Sequence, residues 1–246
     1  QLEGALSQFI VKRGSGSTVI AGYPWFLDWG RDTFIAARGL LSAGWTKEVF
    51  GIVKAFARFE DRGSLPNVLN GENASNRETS DAPLWFGKVC AELAEVVGED
   101  IFTEKMGDGR QLCEILISIG CGYRDGTPHG IRMDLESGLI WSPSHFTWMD
   151  TNYPAGTPRE GYPVEIQALW IELLGLLIRL DSGGGWNVLE RRARESFERY
   201  FCQTSSGWVA DLLPASNGVK PSGALCDDSL RSNALIAVAL GVVPLS

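Results

Sequence analysis

The run Gly22-Tyr23-Pro24-Trp25-Phe26-Leu27-Asp28-Trp29-Gly30-Arg31-Asp32 sets aromatic rings beside the carboxylates of Asp28 and Asp32 and the guanidinium of Arg31. Aromatic faces bind the flat apolar faces of sugars, while carboxylates and Arg hydrogen-bond hydroxyls in paired geometry. A plain core is a poor explanation, because each buried charge needs a partner. The segment reads first as a carbohydrate subsite.

A second cluster, Phe146-Thr147-Trp148-Met149-Asp150, continues through Pro158-Arg159 to Val164-Glu165. A lone Asp in a loop reads as a turn cap. Beside Trp148, an apolar wall could raise the pKa of Asp150, as a carboxylic acid needs in order to protonate a leaving oxygen near neutral pH. Catalysis is therefore the preferred reading of Asp150. Arg159 and Glu165 read as an ion pair or a hydroxyl clamp at the mouth of the next helix. In a third cluster, Ser80-Asp81-Ala82-Pro83-Leu84-Trp85, Asp81 is equally consistent with an N-cap and with ligand binding, and Trp85 with core and with a sugar platform. Asp211 is left open, Asp227 and Asp228 read as structural, with Asp228 a possible cap of the last helix, and His129 and His145 read as loop residues.

These residues need a scaffold, and the periodicity supplies helices. Apolar spacing predicts helices over 33–41 (ended by Gly44), from Thr46 as cap, over 84–97, over 111–119, over 163–180, over 186–201 and from about Ser229. The stretch 120–163 is rich in Gly, Pro and aromatics and reads as a long irregular connection with a short hairpin near 131–140. Nothing alternates as βαβ, and there is no P-loop or dinucleotide fingerprint. The expected architecture is all-α, built from stacked helical hairpins.

Composition narrows the function further. The 246 residues suffice for one large domain, and 44% hydrophobic with 21% charged residues is ordinary for a globular chain. A net charge of -8 argues against nucleic acid or an anionic membrane as partner, and does not bear on a neutral glucan. Five scattered Cys and two His make a Cys/His zinc site improbable. No metal or organic cofactor is expected for glycosidic cleavage, since two carboxylates and a water suffice. Isolated cysteines in apolar context point to reduced thiols and a cytoplasmic location. The apolar stretch 234–243 near the chain end needs a neighbour to cover it, so the remainder of its own domain is an expected partner.

Taken in order, Gly22 to Phe26, Asp28 to Asp32, Ser80 to Phe86, Thr147 to Asp150, and Thr157-Pro158-Arg159 with Val164-Glu165-Ile166 resemble the glucosidase domain of glycogen debranching enzymes, from about Ala21 to Leu240. The resemblance implies an α/α toroid of the six-hairpin glycosidase type, with residues 1–246 forming a single domain that is incomplete at its C-terminal end. It implies hydrolysis of α-1,6-linked branch glucose in glycogen or limit dextrin, with inversion. Asp150 would be the general acid. Arg31 and Asp32 would hold the nonreducing glucose, Trp25, Trp29, Trp85 and Trp148 would wall the pocket, and Arg159 and Glu165 would brace it. Ser229-Leu230-Arg231-Ser232-Asn233 is similar to the family's Leu-Arg-Pro-Asn element, with Ser232 in place of Pro. The Glu that serves the family as general base has no counterpart here, and inversion needs two carboxylates flanking a water. The alternatives are a noncatalytic glucan-binding or inactive fragment, and a glucoamylase- or trehalase-like toroid hydrolase.

Overall fold

Residues 2–13, 16–22, 26–150 and 158–243 are described by a computed structural model of the chain. Nearly half of them are helical, and short antiparallel ribbons join the helices. Two compact units, Gln1–Ile119 and Gly120–Ser246, are taken one at a time.

The first unit opens with α1 (Leu2–Ser7) and the hairpin of β1 (Ile10–Arg13) and β2 (Gly16–Val19), in which Ile10 pairs with Val19. β3 (Asp28–Trp29) then runs straight into α2 (Gly30–Ser42). Phe34, Ala37, Leu40 and Leu41 recur on one side of α2 and are buried, which is why this segment is helical. At its start the backbone comes close to a neighbouring loop: the Gly30 N–H donates to the Asn67 carbonyl at 2.8 Å. A Cβ at Gly30 would stand 3.0 Å from the Pro66 carbonyl oxygen, so glycine suits the site. Gly44, at φ 81°, ends the helix as expected, its N–H donating to Leu41 at 2.9 Å. α3 (Thr46–Ala57) begins at Thr46, with Trp45 in the cap position and no side-chain cap bond; Thr46 is thus the first helical residue and not its cap.

β4 (Val68–Leu69) pairs with β3, Asp28 opposite Leu69. α4 (Ala82–Val97) follows Asp81 with Pro83 in its first turn, where a missing N–H costs nothing. The Phe34 ring meets Phe56 at 4.8 Å and Phe86 at 5.5 Å, both edge-on, and so joins α2, α3 and α4. Each such pair adds about 0.5–1.5 kcal/mol beyond the area it buries.

The division between the units falls inside α5 (Leu112–Asp125). In the second unit β5 (Arg132–Met133) and β6 (Ile140–Trp141) form the expected hairpin, Arg132 opposite Trp141. β7 (Gly161–Pro163) leads into α6 (Val164–Leu180), which is followed by α7 (Trp186–Phe197) with a π turn over Glu198–Cys202. β8 (Leu212–Pro214) pairs with β7, and α8 (Asn233–Ala239) comes last. α6 is buried from Val164 to Ile171 without a break, so it is the axis of this unit. One buried polar side chain on it ties down the hairpin: Gln167 Oε1 accepts from the Ile140 N–H at 2.7 Å and Nε2 donates to the Ile140 carbonyl at 2.9 Å.

Two expectations need correction. The chain is mostly but not wholly α: four two-stranded ribbons occur among the described residues, with strands too short to show an alternating pattern. The last helix starts at Asn233 and not at Ser229, because the preceding polar groups are engaged elsewhere, and Asp228 does not cap it. The Ser229 N–H donates to Asp227 at 3.1 Å, and the Arg231 guanidinium reaches both Asp227 and Asp211 at 2.8 Å.

Candidate functional site

In the first unit β3 and the start of α2 present Asp28, Trp29, Arg31 and Asp32; Tyr23, Pro24 and Trp25 lie outside the described residues. Asp28 is buried and accepts from Arg13 Nε at 2.7 Å, while Arg13 Nη1 donates to the Gly71 carbonyl at 2.6 Å. Nothing in the sequence marked Arg13 as that partner. Trp29 is half-buried in the cap position of α2.

Arg31 engages Asp81 through two nitrogens, Nε to Oδ2 and Nη2 to Oδ1 at 3.2 Å. Asp81 also accepts from the Thr79 hydroxyl at 2.7 Å, and Thr79 Oγ1 accepts from the Ala82 N–H at 3.3 Å. Asp81 therefore occupies the N-cap of α4 without capping it. Thr79 satisfies the orphan amide, and the Asp81 carboxylate fixes the plane of the Arg31 guanidinium. Asp32 is exposed and, with Arg31, lines part of an open groove of about 450 Å³ whose other walls include Phe9, Ile10, Ile20 and Ile35. Trp85 is only 5% exposed, with the Arg38 guanidinium 5.5 Å from its ring centroid, so its surface is spent on packing inside this unit.

In the second unit a loop carries Trp148 and half-buried Asp150. His145 sits at its base in the left-handed region (φ 62°), and its N–H donates to the Pro158 carbonyl at 2.8 Å. Arg159 follows Pro158, also left-handed (φ 50°) and completely buried. A non-glycine residue is held in that region only when its surroundings insist on it. Here the Arg159 guanidinium pairs with Glu165 at the start of α6 and with Asp211, both of them buried. The sequence left Arg159 and Glu165 as an ion pair or a hydroxyl clamp; the structure pairs them and adds Asp211 as a second anion.

Asp211 is the hub of this unit. Its Oδ2 accepts from Arg159 and from Arg231, the latter at 2.8 Å, and its Oδ1 accepts from Asn233 Nδ2 at 2.7 Å. Both oxygens of this enclosed carboxylate are thus committed to side-chain partners. Asn233 Oδ1 in turn accepts the indole N–H of Trp148 at 2.8 Å, leaving that ring 45% exposed. Sequence reasoning placed Asn233 in the element similar to Leu-Arg-Pro-Asn but gave it no role; an Asp set between apolar Ala210 and Leu212 implies a buried carboxylate in need of partners. Burial opposes ionisation of Asp227, yet hydrogen bonds from Ser229 and Arg231 hold its carboxyl below the usual range.

Among the described residues no group of three or more His, Cys, Asp and Glu is arranged to hold a metal, and no helix is long and apolar enough to cross a membrane. All five cysteines are free; burial raises the Cys90 thiol, and burial with nearby Glu198 raises Cys202 to about 11.

The described residues thus hold Arg–carboxylate pairs beside partly exposed indoles, on helices joined by short ribbons. A family model described as amylo-alpha-1,6-glucosidase matches residues 5–246, and the chain belongs to that family. A glycogen debranching enzyme of Saccharomyces cerevisiae is 28% identical over 210 residues, an alignment covering 63% of this chain and 14% of the yeast protein. The chain thus spans a small part of the length of that relative.

Proposed function

We propose that this chain serves the hydrolysis of α-1,6-linked glucose at the branch points of glycogen or a limit dextrin. The observation that carries this reading is the family match over residues 5–246, which includes the loop of Asp150 and both Arg–carboxylate clusters. In this reading the two units are parts of one α/α-toroid domain of the inverting glycosidase type, working in the cytoplasm on a branched α-glucan. Asp150 is the general acid that protonates the departing glycosidic oxygen. The Arg31 guanidinium, its plane fixed by Asp81, donates to sugar hydroxyls, while exposed Asp32 accepts from them. Trp25, Trp29 and Trp148 offer apolar faces to the sugar, and Asp28 and Trp85 support the first cluster from within. Arg159 and Glu165 brace the second, and two carboxylates with a water suffice, so no metal or organic cofactor takes part.

The test is Asp150→Asn in the full-length protein, assayed by glucose release from a phosphorylase limit dextrin. Loss of a general acid is expected to lower turnover by about 10²–10⁴-fold. Near-normal turnover by a correctly folded variant would remove Asp150 from its role. Preference for α-1,4 over α-1,6 substrates in the unmodified protein would overturn the linkage assignment.

A further inference from the structure

We infer that Asn233 is a positioning residue, clamping the indole of Trp148 to the buried Asp211 and so setting the loop that carries Asp150. The inference rests on the proposed role of Asp150, but its structural part stands apart from it.

The amide of Asn233 can take one orientation only. Its oxygen faces the Trp148 Nε1 donor at 2.8 Å, and its nitrogen faces the Asp211 Oδ1 acceptor at 2.7 Å. Flipping the amide would set N–H against N–H and oxygen against carboxylate, losing both bonds at once. The same Nδ2 lies 3.5 Å from Met149 Sδ, so Asn233 touches two successive residues just before Asp150. Asn233 is buried, and as the first residue of α8 it starts from a fixed backbone.

Asp211 is equally constrained. Both its oxygens are engaged, its N–H donates to the Asp227 carbonyl at 2.9 Å, and its own carbonyl accepts from the Val164 N–H at 3.0 Å. A chain of fixed groups therefore runs from the Arg159–Glu165 ion pair through Asp211 and Asn233 to Trp148. It consumes the one polar atom of the indole, so the 45% of Trp148 left exposed presents ring and not N–H. A ring held this way can register an apolar sugar face without rotating, and Asp150 lies two residues further on. Misplacing a catalytic group by about 1 Å is enough to cost on the order of 100-fold in rate.

The experiment compares Asn233→Leu, Trp148→Phe and the double variant in the full-length protein, with Asp150→Asn alongside. In 15N-tryptophan-labelled protein the Trp148 indole resonance, identified by its absence in Trp148→Phe, is expected to shift and to lose exchange protection in Asn233→Leu. The indoles of the other eight Trp in these 246 residues should stay in place. On limit dextrin, Asn233→Leu should lower kcat by about 10- to 100-fold with little change in KM, and the double variant should be no worse than the poorer single one. Asn233→Asp keeps the acceptor for the indole, and should recover turnover as pH falls and its contact with Asp211 is relieved by protonation. An unmoved Trp148 resonance, or single-variant losses that multiply, would overturn the clamp. If Asn233→Leu moved the resonance but left kcat intact, the clamp would have no part in turnover. Asp150→Asn reads the acid assignment by itself, whatever Asn233 does.

Discussion

Arg159 joins two buried carboxylates of its unit through a single guanidinium. It is buried, left-handed in φ, and shared between the Glu165 and Asp211 carboxylates. Removing the cation takes one charged partner from each of two buried carboxylates, of which Asp211 keeps Arg231 and Asn233. Breaking a buried pair in this way costs about 3–5 kcal/mol, more than burying charge gains in the first place. Arg159→Met should therefore destabilise the protein by about that amount, read as a lowered urea midpoint. A change under about 0.5 kcal/mol, the size expected of an exposed substitution, would show that the pair is not enclosed in solution. At this scale much was legible: charged residues among aromatics announced themselves, and Arg159 with Glu165 could be paired from spacing. Arg13 with Asp28, and Asn233 with Trp148, could not, because they join residues far apart in the chain through side chains of no special local pattern.

Elements were legible where the apolar pattern is long. α2 follows the apolar spacing closely, since an amphipathic stripe of three or more turns leaves a strong periodic signal, while α4 and α6, buried on every side through their first turns, were legible from the length of their apolar runs. The ribbons left almost none, because strands of two to four residues show at most one alternation. Their placement depends instead on glycines in special conformations. Gly161 adopts φ 124°, and a Cβ there would stand 2.3 Å from the Leu213 carbonyl oxygen and 2.6 Å from the Ala215 nitrogen. Those are backbone atoms of β8 and the residue just after it, and cannot yield without unpairing the ribbon. Gly39, by contrast, lies within α2 with nothing inside 4 Å of its would-be Cβ. The same substitution should thus act in opposite directions. Gly39→Ala should raise stability by roughly 0.5–1 kcal/mol through helix propensity and reduced freedom of the unfolded chain. Gly161→Ala should lower it by more than about 1 kcal/mol. Thermal unfolding of the two variants side by side checks the sign, and a stabilising Gly161→Ala would refute the tight β7–β8 approach.

For the molecule as a whole, charge separates the classes of ligand. A net charge of -8 repels polyanions over a distance set by the ionic strength, but exerts no net pull on an uncharged polymer. The clusters built around Arg31 and Arg159 do not reverse this, because each guanidinium is already neutralised by a buried carboxylate: Asp81 for the first, Glu165 and Asp211 for the second. What remains for a ligand is directional hydrogen bonding and exposed indole surface, both insensitive to screening. Binding of a maltooligosaccharide by this chain, followed by calorimetry, should therefore keep its affinity within about twofold as salt rises from about 0.05 to about 0.5 M, although the Debye length falls by about a factor of three over that range. Heparin, a polyanion of similar backbone chemistry, should show no binding at either salt concentration. A steep loss of oligosaccharide affinity with salt would mean that unneutralised charge recognises the ligand. That result would contradict the pairing of Arg31 with Asp81 and turn attention to an anionic substrate in place of a neutral glucan.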